Sequence, residues 1–92
     1  MSDWTSYPKI SEVIAEPDHR LLVLFRNGER KHYDFKPKLT EPAFRLLQDE
    51  AFFRTVKVDA GGYGISWSDE IDLAESELWL NGTPVNPELA TA

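Results

Sequence analysis

The spacing of apolar and polar positions divides the chain into several short extended runs and two helical ones. Residues 1–8, with Trp4 and Tyr7 among Ser, Asp and Thr, show no period and read as an N-terminal arm. Lys9–Glu16 places Ile10, Val13 and Ile14 in an extended pattern, and Pro17-Asp18 supplies a turn. Arg20–Arg26 holds the longest apolar run, Leu21-Leu22-Val23-Leu24-Phe25, and Glu29–Phe35 returns after Asn27-Gly28. Asn-Gly readily takes positive φ, so a hairpin is expected there. A two-residue loop sets Leu24 opposite Lys31 and Leu22 opposite Tyr33. A three-residue loop with a bulge sets Phe25 opposite Glu29 and Leu21 opposite Tyr33. One residue of slip exchanges the two faces, and both registers stay open. Since both faces of Arg20–Arg26 are apolar, a central strand is expected.

Thr40-Glu41-Pro42 offers a hydroxyl cap and a proline in the first turn, where no backbone N–H is needed. A helix over Ala43–Glu50 follows, with Phe44 and Leu47 on one face and Arg45 paired with Asp49. Thr55–Asp59 alternates as a strand, Ala60-Gly61-Gly62 turns, and Tyr63–Trp67 is a strand with Tyr63, Ile65 and Trp67 on one face. Gly64 inside it weakens the strand and admits a close neighbour. Asp72-Leu73-Ala74-Glu75 has capping-box spacing, which predicts a helix over Leu73–Leu80 that Asn81-Gly82 ends in the left-handed region. From Thr83 the composition predicts a flexible tail over residues 83–92. The resulting order, β-β-β-α-β-β-α, is a single α+β domain over residues 9–82 with mostly antiparallel strands.

Composition narrows the function classes. The 92 residues are 41% apolar, enough for one modest core. The five-residue apolar run falls far short of the ~20 residues of a membrane span. Zero cysteines exclude disulfides, thiolate zinc sites and cysteine nucleophiles. With no basic-then-apolar leader at the N-terminus, the expected location is the cytoplasm.

Charge adds an asymmetry that the net value of −6 hides. Residues 1–38 carry seven Lys/Arg against six Asp/Glu; residues 39–92 carry three against ten. No basic residue follows Lys57. An acidic half repels phosphate, so nucleic-acid binding by this chain alone is disfavoured.

Candidate chemistry is sparse. Asp69, Glu70 and Asp72 cluster, but a calcium loop starting at Asp69 would need glycine at the sixth position, where Ala74 stands. His19 and His32 have no second histidine at helical spacing, so no zinc site is expected. The serines lie outside any Gly-x-Ser-x-Gly elbow, and Gly61-Gly62-Tyr63-Gly64 lacks the lysine of a phosphate loop. His32 and Asp34 share a strand face as an ordinary surface pair would. No catalytic residue, metal or cofactor is therefore expected. Trp67 and Trp79 flank the acidic stretch and serve either as core or as anchors for a partner. Trp4, outside the periodic segments, is the third candidate contact residue.

The block Gly62-Tyr63-Gly64-Ile65-Ser66-Trp67, then Asp69-Glu70-Ile71-Asp72-Leu73 and Glu77-Leu78, preceded by Phe25–Glu29 and Phe35, resembles the bacterial domain-of-unknown-function family 2442. The likeness spans roughly Lys9 to Gly82. It implies a small α+β domain, sometimes joined to a C-terminal helix-turn-helix, and often encoded beside another small protein in arrangements suggesting toxin–antitoxin pairs. This chain shows no helix-turn-helix, so the DNA binding implied for fused members does not transfer. The leading expectation is a non-enzymatic interaction domain, antitoxin-like, whose partner is a small basic protein met by Trp67, Asp69, Glu70, Glu77, Trp79 and Trp4. A homodimer formed through an edge strand, Lys9–Glu16 or Tyr63–Trp67, is the second expectation. A ligand-binding, metal-binding or enzymatic role for the carboxylates of the 63–72 loop is the third.

Overall fold

The computed structural model describes residues 7–85. Its first sheet contains β1 (Ile10–Glu16), β2 (Arg20–Phe25), β3 (Arg30–Asp34) and a short β7 (Thr83–Pro84), in the order β1-β2-β3-β7. A second sheet contains β4 (Lys57–Val58), β5 (Gly64–Ser68) and β6 (Ile71–Ala74), in that order. All pairings are antiparallel. Among the described residues, helices α1 (Glu50–Phe53) and α2 (Glu75–Asn81) and three 3-10 segments complete an α+β fold. No described helix is long and apolar enough to cross a membrane.

The β2–β3 hairpin takes the three-residue loop. Leu21 lies opposite Tyr33 and Val23 opposite Lys31, and the Phe25 amide donates to the Glu29 carbonyl at 2.9 Å. Gly28, at φ 94°, supplies the left-handed step that this loop needs. The choice of register decides the core: Leu21, Val23, Phe25 and Tyr33 face inward and are buried. They meet Ile65, Trp67, Ile71 and Leu73 of the second sheet, with Leu47, Phe53 and Leu78 from the helical segments. Phe35 is the aromatic centre, 5.2–5.7 Å from the rings of Phe44, Trp67 and Phe53. Each such fully buried side chain contributes about 1.5–3 kcal/mol of transfer free energy.

Five local expectations are corrected by tertiary pairing. The segment expected as an α-helix over 43–50 is a 3-10 helix over Pro42–Gln48, followed by one α-turn. Tight i→i+3 winding removes the Arg45–Asp49 geometry. Asp49 instead caps α1 by accepting from the Ala51 amide at 3.0 Å, and Glu50 pairs with Arg54. Asp72 caps no helix. It stands opposite Ser66 within β6, whose Ile71 and Leu73 alternate into the core, and α2 starts at Glu75 with no side-chain cap. Tyr63 precedes β5 and is 62% exposed, so it does not share the buried face of Ile65 and Trp67. Gly82 is extended rather than left-handed. It is small because a Cβ there would sit 2.6 Å from the Leu78 carbonyl and 3.1 Å from Lys31. Beyond it, Thr83-Pro84 pairs with His32 and Lys31 as β7, inside what composition marked as tail.

Candidate interaction site

The end of β3, the Lys36–Lys38 turn, α2 and β7 enclose an open cleft of about 390 Å³. Its lining combines Tyr33 and Asp34 from β3, Lys38 and Glu41 from the connection, and Glu77 and Asn81 from α2. Pro37 fixes the turn at its rim, because its ring holds the backbone φ that the 3-10 geometry requires. Tyr33 is buried up to its hydroxyl, which donates to Glu77 Oε2 at 2.7 Å. Lys38 Nζ lies 3.7 Å from the same oxygen.

These contacts set the protonation states. Burial, then the hydrogen bond and charge of Glu77, push the Tyr33 hydroxyl far above the ordinary phenol range. The same hydrogen bond holds the Glu77 carboxyl below the usual carboxylate range against an opposing effect of burial, with Asn81 and Lys38 assisting. At neutral pH Tyr33 is thus a fixed neutral donor and Glu77 a fixed anion. Asp34, Glu41 and Glu77 against Lys38 leave the lining with three negative charges and one positive. Such a lining suits a cationic group.

The candidate residues from the sequence are dispersed. Glu77 lies in the cleft, while Asp69 and Glu70 are exposed at the tip of the β5–β6 hairpin. The four residues of β6 separate them by about 13 Å of strand. Trp67 is not a surface anchor: it is 4% exposed, and its indole N–H donates to the Phe53 carbonyl at 2.8 Å. A buried indole that finds its acceptor inside has no polar reason to reach the surface. Trp79 is half-buried, edge-on to Phe25 at 5.1 Å, with Lys31 Nζ 3.8 Å above its ring. That ammonium also donates to the Trp79 carbonyl in the last turn of α2, where the helix dipole favours a cation. Trp4 lies outside the described residues.

His19 joins no metal site; its Nε2 donates to the Leu47 carbonyl at 2.9 Å and its ring packs on Phe53 at 4.8 Å. Among the described residues no three His, Asp or Glu side chains converge as a metal centre. Sequence reasoning missed Tyr33, Lys38, Glu41 and Asn81. The one usable signal was the alternation that turned Tyr33 inward in the three-residue register, and nothing local joined residue 33 to residue 77.

The matching pattern runs through every element that builds the cleft: the family model described as a protein of unknown function (DUF2442) covers residues 10–84. The chain belongs to the DUF2442 family. The match begins at the first residue of β1 and ends on the last residue of β7, so the family unit includes Thr83, which lines the cleft beside β3. Comparison with curated proteins and with solved structures gave no match.

Proposed function

We propose that this DUF2442 domain is a non-enzymatic interaction module, antitoxin-like, that binds a small basic protein, and that its cleft receives a cationic side chain of that partner. The observation that carries the reading is the cleft's polarity: three carboxylates and a buried tyrosine hydroxyl around one ammonium. A carboxylate offers about four acceptor positions. Tyr33, Asn81 and Lys38 engage three of them on Glu77, so an incoming cation would share Glu77 with Lys38 and take further acceptors from Asp34 and Glu41. The exposed Asp69, Glu70 and Asp72 add long-range attraction for a basic partner, raising the encounter rate more than the final affinity. A bacterial, cytoplasmic setting is part of the same proposal, and the cysteine-free composition is compatible with it.

The test uses a defined probe. Acetyl-Gly-Arg-Gly-amide titrated into the labelled protein is expected to shift the Tyr33 and Glu77 resonances, with saturation at about millimolar concentration for a single side chain. Acetyl-Gly-Leu-Gly-amide is expected to leave them in place, and Glu77→Gln to abolish the arginine response. Equal shifts with both peptides, or none with either, would overturn the cleft assignment.

A further inference from the structure

Lys38 is the one cation among the residues that line the cleft, and it is held there loosely. Its Nζ lies 3.7 Å from Glu77 Oε2, beyond the ~3.2 Å limit of a good N–H···O bond. The same oxygen already accepts the Tyr33 hydroxyl at 2.7 Å. The ammonium also stands 5.9 Å from the centroid of the Phe44 ring, at the outer reach of a cation–π contact.

The three carboxylates differ in depth. Glu77 is half-buried, whereas Asp34 and Glu41 are exposed. Asp34 receives the Lys36 amide at 3.0 Å and Lys36 Nζ at 3.4 Å, both on Oδ1, which leaves its other oxygen to a ligand. A cation entering the cleft therefore meets one sheltered acceptor already shared with Lys38 and two open ones at the rim.

We propose that Lys38 makes the cleft selective for an arginine side chain over a lysine side chain. This rests on the reading of the cleft as a cation site, and it names which cation. A lysine ammonium is a compact, strongly hydrated point charge, and Glu77 is the sheltered carboxylate that would hold it. There it stands beside the ammonium of Lys38. Two unit charges about 4 Å apart in water-like surroundings repel enough to weaken binding about fivefold. A guanidinium spreads its charge over a plane, is less strongly hydrated and carries five donors. It divides its hydrogen bonds between Glu77 and the rim acceptors Asp34 and Glu41, so Lys38 opposes it less.

Titration of the labelled full chain with acetyl-Gly-Arg-Gly-amide and acetyl-Gly-Lys-Gly-amide tests this. The native protein is expected to bind the arginine peptide about fivefold more tightly, read from the Glu77 and Tyr33 resonances. Lys38→Met is expected to tighten the lysine peptide about fivefold and the arginine peptide less than about twofold, so the preference collapses. The fold is expected to survive, because a partly exposed pair at 3.7 Å contributes little to stability. Lys38→Gln, which keeps a polar head, is expected to give the same ratio as Lys38→Met. Lys57→Met removes the same charge from β4 of the second sheet and is expected to leave the native preference in place. Equal affinities in the native protein overturn the proposal and leave the cation site standing. So does a preference that persists in both Lys38 variants, or one that Lys57→Met abolishes as well. No response to either peptide, in the native protein and the variants alike, overturns the cation site itself and this proposal with it.

Discussion

Replacing Tyr33 by phenylalanine removes one oxygen and leaves the packing of the ring intact, which isolates the bond to Glu77. In the native protein that bond is 2.7 Å long, donated by a buried hydroxyl to a carboxylate whose side chain remains 31% exposed. A hydrogen bond to a charged group is worth about 1.5–3 kcal/mol when shielded, and solvent access to Glu77 brings the expected loss down to about 1–2 kcal/mol. The loss is expected to depend on pH. Glu77 has its folded carboxyl held below the unfolded value of 4.5, chiefly by Tyr33. A depressed carboxyl contributes stability that is present above the unfolded value and fades as pH falls through the folded one. Tyr33→Phe removes the main cause of that depression. Urea unfolding followed by tryptophan fluorescence, at about pH 7 and again near pH 3, is therefore expected to show a clear difference from the native protein at the higher pH and a much smaller one at the lower. An equal loss at both values, or no loss at neutrality, would refute the assignment of Glu77 as the anion that Tyr33 holds.

Three further outcomes follow from the same structure. In alkali the unfolded chain ionises Tyr33 while the fold keeps it protonated, so stability is expected to fall above about pH 10 by up to ~1.4 kcal/mol per pH unit; Tyr33→Phe should flatten that limb of a pH-resolved melting series. Gly62, at φ 77°, has the Ile10 carbonyl 2.5 Å from the place of a Cβ, whereas Gly28, at φ 94°, has nothing within 4 Å. Gly62→Ala is thus expected to cost at least about 2 kcal/mol and Gly28→Ala only about 1 kcal/mol, by denaturant midpoint. Lys31 is 8% exposed and holds both the Trp79 ring and the last turn of α2. Lys31→Met keeps the stem but loses the cation–π contact and the dipole complement, for an expected cost of about 1–2 kcal/mol and a change in Trp79 emission; an unchanged midpoint would mean that desolvation of the ammonium cancels both.

The legible part of this protein is whatever a few adjacent residues decide. The apolar run Leu21–Phe25, the Asn27-Gly28 turn and the alternation of Ile65 and Trp67 identified central strands and a hairpin, because period and turn chemistry act over two to five residues. The antiparallel α+β class followed from their order. Glu77 is legible as a candidate contact only as one member of an acidic stretch.

What tertiary structure alone decided is the meaning of those residues. Asp72-Leu73-Ala74-Glu75 satisfies both a helix cap and a strand alternation, and pairing of β6 with β5, which buries Ile71 and Leu73, settles it as strand. The hairpin register was undetermined locally, since both faces of β2 are apolar; contact with Trp67, Phe53 and Leu78 across the core selects the face of Leu21 and Val23. That selection turns Tyr33 inward, toward Glu77, forty-four residues away in sequence. It also leaves Leu22 and Leu24 half-buried on the outer face of the sheet. Long-range burial is the term that local propensity lacks, and here it created the cleft.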